Sequence, residues 1–179
     1  MGWYLAPVPF LIHGIGMLID EAWFHRRRGL PRWERLGHPL DTLTVLACYA
    51  LALALPAAGA GLTIYLGAAA FSCLFITKDE WIHARHCTGG EMWLHAFLFV
   101  MHPVLLAIAG AWRFASPHPP APGIDAGAPA WATPSAVPDS GHAFFETFLI
   151  GQAAVTAVFL LYQLLYWNGP WKPALPATR

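Results

Sequence analysis

Apolar residues in this chain run in long unbroken blocks, and each block is closed by a short polar cluster. Five blocks, over about 3–19, 42–62, 63–77, 92–112 and 143–167, reach or approach the roughly 20 residues that a helix needs to cross a bilayer. The first and third are short, yet each can continue as helix into its polar end, to His25 and to His83, bringing acids to the membrane boundary. Pro39 suits a first helical turn, so the second helix is expected to start just after His38. Pro56 and Pro103 are expected to fall inside helices and kink them. The pattern therefore predicts an all-α, polytopic integral membrane bundle forming a single domain over 1–179. About five transmembrane helices are expected, arranged as two pseudo-repeated helical hairpins plus a fifth helix.

Between the fourth and fifth blocks, the segment 113–141 holds seven prolines with much alanine and glycine, and reads as a long irregular external loop. A short C-terminal tail is expected over 168–179. The N-terminus has neither a basic leader nor a small-residue cleavage site, so the first block reads as a retained span.

Composition agrees with the block pattern. The chain is 57% hydrophobic and 11% charged, against roughly 25% charged for a soluble domain. Its net charge of zero gives no reason to expect nucleic acid as a partner. Cys48, Cys73 and Cys87 form no CxxC pair and two of them lie within apolar blocks, so no disulfide framework or zinc ribbon is indicated. Arg26, Arg27, Arg28, Arg32 and Arg35 follow the first block, and Lys78 and Arg85 lie between the third and fourth. Those loops are expected on the cytoplasmic side of a bacterial inner membrane, with the N-terminus outside.

The chemistry concentrates at that same side. The stretch 77–95 alone holds three carboxylates, three histidines and a cysteine. With the predicted topology, Asp20, Glu21 and His25 close helix 1, and His38 and Asp41 open helix 2. Asp79, Glu80, His83 and His86 close helix 3, and Glu91 and His95 open helix 4. Intramembrane acids and histidines are costly and mark function. Glu21/His25, Asp79/His83 and Glu91/His95 are i,i+4 pairs, and Glu80/His83, His83/His86 and His38/Asp41 are i,i+3 pairs, so each pair shares a helix face. Facing helices that present carboxylate and histidine pairs are how bundles hold two iron or manganese ions. The similarity of 19–25 to 77–83 supports a paired site.

The expected metal ligands are Glu21, His25, His38, Asp41, Glu80, His83, His86, Glu91 and His95, with Asp20 and Asp79 as acceptors that fix a ligating imidazole. His102, seven residues after His95, lies on the same face about 10 Å deeper. It is the candidate catalytic residue that would line a substrate tunnel or relay protons. Aromatic walls from Trp23, Trp81, Trp93, Phe97 and Phe99 are expected to hold an apolar substrate.

In this gathering of histidines from several helices at the cytosolic face, the chain resembles the integral-membrane non-haem iron desaturases and hydroxylases. Their His-x-x-His-His boxes do not occur here, and carboxylates are more numerous.

The resulting expectation is a membrane-embedded dinuclear metalloenzyme holding two metal ions, iron first and manganese or zinc as alternatives. It would oxidise a lipid or other apolar substrate with oxygen, taking electrons from a separate donor. The rival readings are a zinc-dependent lipid hydrolase, a metal transporter, and a b-type haem protein ligated by His13 and His102.

Overall fold

The computed structural model describes residues 2–57, 59–115 and 140–169. Most of the expected external loop over 113–141 and most of the tail over 168–179 lie outside them.

The described residues form an all-helical membrane bundle of five helices. We label them α1 (7–28), α2 (Arg32–Ala54), α3 (Gly61–His86), α4 (Gly89–Ala115) and α5 (Ser140–Asn168). The last four are each long and apolar enough to span a membrane. Helix α1 is composite: α-helical over Pro7–Ile19, π-helical over Asp20–His25 and α-helical again over Arg26–Arg28. At about 1.5 Å per residue it covers roughly 30 Å, the thickness of a hydrocarbon core. Helix α3 also changes winding, through a 3-10 turn at Ile76–Asp79.

Two prolines act differently from the sequence expectation. Helix α2 begins at Arg32, not after His38, and Pro39 lies in its interior. A proline there has no N–H to give to the carbonyl four residues back. That carbonyl belongs to Arg35, and the side-chain amide of Asn168 from the end of α5 donates to it at 2.8 Å. A neighbouring helix thus supplies the missing donor, and α2 gains two turns at its polar end. Pro56 lies just beyond the end of α2 at Ala54 rather than inside a helix. The second and third blocks, continuous in hydropathy, are therefore separated by a turn that includes Gly59 with a φ of 72°. Pro103 is interior to α4, as expected.

Helix α2 packs against both α3 and α5, α1 packs along α4, and α3 touches α4. The end remote from Arg26, Arg27 and Arg28 is filled by large side chains, with Phe10, Tyr49, Tyr65, Leu106, Trp112 and Phe145 buried together. The arginine-bearing end is built differently. Its exposed belt includes Trp23, Trp33, Trp81 and Trp93, the residue type that marks a membrane–water boundary, while its interior is polar. Apart from Phe99, which lines the interior cavity, the aromatics expected to form substrate walls are exposed: Phe97 is 39% and Trp93 81% accessible.

Candidate metal centre

Four histidines from four helix ends meet inside the arginine-bearing end. The rings of His25 and His38 lie 4.8 Å apart and those of His83 and His95 4.3 Å apart. Across these pairs, His25 to His95 is 6.1 Å and His38 to His83 is 6.2 Å. The quadrilateral has two short and two long sides, matched in pairs, as a two-fold axis through its middle would require.

The sequence carries the same symmetry further than the seven-residue similarity suggested. Asp20, Glu21, His25, Glu34 and His38 correspond in order to Asp79, Glu80, His83, Glu91 and His95. Glu34 to His38 and Glu91 to His95 share one spacing; Asp20 to His25 is one residue longer than Asp79 to His83. The π-helical turn over Asp20–His25 absorbs that residue, because i→i+5 winding stacks positions five apart much as α-winding stacks positions four apart.

Donor atoms of Asp20, His25, Glu91 and His95 all lie within 4.8 Å of one another, as do those of Glu34, His38 and His83. Exchanging the two halves converts the first set into Asp79, His83, Glu34 and His38. Asp79 is placed beside His38, in a further group with Asp41. Each set thus takes an aspartate and a histidine from the end of one hairpin's first helix, and a glutamate and a histidine from the start of the other hairpin's second helix.

Asp20 bridges two imidazoles, with Oδ1 3.1 Å from His95 Nε2 and Oδ2 3.2 Å from His25 Nε2. Arg28 Nη2 donates to Glu34 Oε2 at 2.7 Å and to Glu91 Oε1 at 2.9 Å, pinning the two equivalent glutamates from one point. Glu91 also closes a capping box with Thr88 at the start of α4, which fixes its backbone. Asp79 packs against Gly37, where an added Cβ would stand 2.5 Å from Asp79 Oδ2, so only glycine lets α2 and α3 meet this closely.

Much of the donor set makes ion-pair approaches at most and no aligned hydrogen bond. His25 Nε2, His38 Nε2, His83 Nδ1 and Nε2, His95 Nδ1, Glu34 Oε1 and Asp79 Oδ1 are buried with no aligned hydrogen bond. Buried polar atoms are nearly always satisfied, so this many converging on one chamber are donors that could hold metal ions. Charge points the same way. Asp20, Glu21, Glu34, Asp79 and Glu91 are all at most 6% exposed, and among the described residues the arginine and lysine side chains that pair with them are Arg28 and Lys78. Isolated buried charge is costly, and divalent cations offset such an excess.

The other expected ligands have different surroundings. Both oxygens of Glu21 are engaged: Oε1 accepts from the Tyr162 hydroxyl and from Trp167 Nε1 at 3.0 Å, and Oε2 lies 3.2 Å from His25 Nδ1. Glu80, its counterpart, has a side chain 43% exposed, with Oε1 3.5 Å from His83 Nδ1. Helix α5 brings Tyr162 and Trp167 to Glu21, and this makes the difference. Asp41 is held by Lys78 through both oxygens at 2.7 Å, and His86 is exposed. His102 is buried, its Nε2 3.0 Å from Ser72 Oγ, which in turn meets Thr44 Oγ1 at 2.8 Å.

Glu34 is absent from the expected ligands because it sits among Arg32 and Arg35, where a glutamate reads as a surface ion-pair partner. The signal that finds it is its spacing to His38, repeated by Glu91 and His95. Asp20 and Asp79, expected as supports for imidazoles, stand among the donors themselves.

The chamber opens into a cavity of about 630 Å³ whose wall includes Asp20, His25, His38, His83, His95 and His102. No family model, curated protein or solved structure matches the chain, so a functional reading rests on this geometry.

Proposed function

We propose that this protein is a membrane-embedded dinuclear metalloenzyme, with iron as the metal, that uses oxygen to oxidise an apolar substrate. The observation that carries the reading is the pair of symmetry-related donor sets, whose buried imidazole nitrogens and carboxylate oxygens face one another largely without aligned hydrogen bonds. Mixed carboxylate and imidazole donors suit iron or manganese. Each would take its ligands from both hairpins: Asp20, His25, Glu91 and His95 for one, Glu34, His38, His83 and Asp79 for the other. When bound, the metals supply the oxidising chemistry, and the protein supplies orientation and exclusion of competing reactions.

The remaining residues have roles that follow from their contacts. Arg28 holds Glu34 and Glu91 at a fixed separation, so both carboxylates are presented without reorganisation. Glu21 orients the His25 ring through its Nδ1, and is itself fixed by Tyr162 and Trp167; such supporting contacts tune a metal ligand. His102, on the cavity wall beyond His95, is the candidate proton relay. Electrons come from a separate donor, for which the exposed Arg26, Arg27 and Arg32 offer a cationic face.

One observation favours a second reading. Cys87 joins His83 and His95 in a further donor group, and two histidines with a thiolate suit a single zinc that activates water for hydrolysis. Metal analysis of protein purified from membranes separates the two. Two irons per chain support the dinuclear oxidase, one zinc supports the hydrolase, and protein that neither retains nor takes up metal sinks both.

A further inference from the structure

The cavity that opens from the metal centre is largely apolar, and residues of α1 and α5 that border it also reach the surface. Helices α1 and α5 touch at both ends. Near the arginines, Glu21 binds Tyr162 and Trp167; at the far end, the Phe10 ring lies 5.4 Å from that of Phe148 and 5.9 Å from that of Phe145. Between these clasps the two helices part, and both line the cavity, α1 with Leu11, Gly14, Ile15 and Leu18 and α5 with Gly151 and Val155. Ile15, Leu18 and Val155 are also 59%, 63% and 64% exposed, so the same side chains border the cavity and the surface that meets lipid. The result is a slot parallel to the helices, framed top and bottom.

We propose that this cavity binds one straight alkyl chain, taken sideways from the bilayer through the slot between α1 and α5. The chain's polar end lies at the metal centre and its tail at Phe10, Tyr49 and Phe148. The inference deepens the proposed oxidase by naming its substrate class, and it rests on that reading for the chemistry though not for the binding.

Three features carry the proposal. The first is polarity: the charged chamber occupies one end of the cavity, and the rest of the wall is aliphatic and aromatic except for His13, Thr42, His102, Gln152, Thr156 and Gln163. The second is depth, since the metal centre sits level with the tryptophan belt, where the polar ends of membrane lipids lie. The third is length. Phe10 and Asp20 both line the cavity ten residues apart on α1, about 15 Å at 1.5 Å per residue. An extended alkyl chain advances roughly 1.3 Å per carbon for bonds of about 1.5 Å, so about a dozen carbons fit. The carbons presented to the metals are therefore those nearest the polar end.

Two glycines make the idea testable without disturbing the fold. A Cβ added at Gly14 or at Gly151 meets nothing within 4 Å, and both residues border the cavity, so leucine at either position adds bulk at its mouth without a clash. The experiment uses the full chain in bilayer nanodiscs and straight-chain alcohols from octanol to octadecanol carrying a diazirine at the terminal carbon. Dodecanol is expected to label Phe10, Tyr49 or Phe148, and octanol to label near Gly14 and Gly151. Gly14→Leu and Gly151→Leu are expected to abolish labelling of the far-end residues while leaving metal content unchanged. Labels confined to lipid-facing residues such as Leu66 and Leu74, or far-end labelling that survives both substitutions, would overturn the proposal. Protein that holds no metal yet labels in this pattern supports the chain site and overturns the metal reading alone. Metal-loaded protein that labels nowhere in the cavity overturns the chain site.

Discussion

Replacing Glu34 or Glu91 by glutamine separates a metal centre from a buried ion-pair network. Both carboxylates are at most 1% exposed and both accept from Arg28. A hydrogen bond to a charged group contributes about 1.5–3 kcal/mol, and ionised pairs are roughly twice as strong as neutral ones. Glutamine keeps an acceptor for Arg28 and removes the charge, so a purely structural role predicts a loss of about 1 kcal/mol in stability. Since 1.4 kcal/mol is a factor of ten in an equilibrium constant, any metal bound elsewhere would lose at most about a decade in affinity. The crossed donor sets predict something else. Glu34→Gln removes an anionic donor from the set with His38 and His83 and leaves the set with Asp20, His25 and His95 complete; Glu91→Gln does the reverse. Each single variant should therefore retain one metal per chain instead of two, and the double variant none. Elemental analysis gives the stoichiometry, and far-ultraviolet circular dichroism confirms retained helix. Two metals in either single variant would refute the ligand assignment. Loss of both from one single variant, with the helices intact, would refute two sets that each hold a metal.

The bond from Asn168 to the carbonyl left free by Pro39 predicts a rescue. Asn168→Ala should destabilise the bundle by about 1–2 kcal/mol, and Pro39→Ala should suppress most of that loss by restoring the N–H, read from thermal unfolding of the two single variants and the double. Gly37→Ala, whose Cβ would sit 2.5 Å from Asp79 Oδ2, should cost about 1–3 kcal/mol by overpacking and weaken the metal set nearest Asp79 while sparing the one with Asp20; unequal release of the two metals to a chelator checks it. Metal loading should fall with acidity, because protons compete with the metal for imidazole nitrogens and carboxylates. A titration of bound metal that stays flat down to about pH 4 would contradict ligation by these residues.

The sequence by itself determined that the chain is a helical membrane bundle, because long apolar blocks with few charges have no other stable solvent than lipid. It also determined where chemistry concentrates: acids and histidines at four helix ends are legible from spacing alone, as at Glu91 and His95. What it did not determine was which oxygen or nitrogen is left free. Glu21 and Asp20 are neighbours in the chain, yet α5 satisfies Glu21 through Tyr162 and Trp167, while Asp20 reaches His25 and His95. Pro39 reads as a helix start because its missing N–H is cheapest there, and only the arrival of Asn168 from α5 lets the helix run through it. Glu34 reads as a surface residue until Arg28 draws it inside. In each case the deciding partner comes from a remote helix. Local pattern fixes which elements form and which faces are apolar; which buried polar atoms find a partner depends on how those elements cross, and that is a property of the tertiary structure.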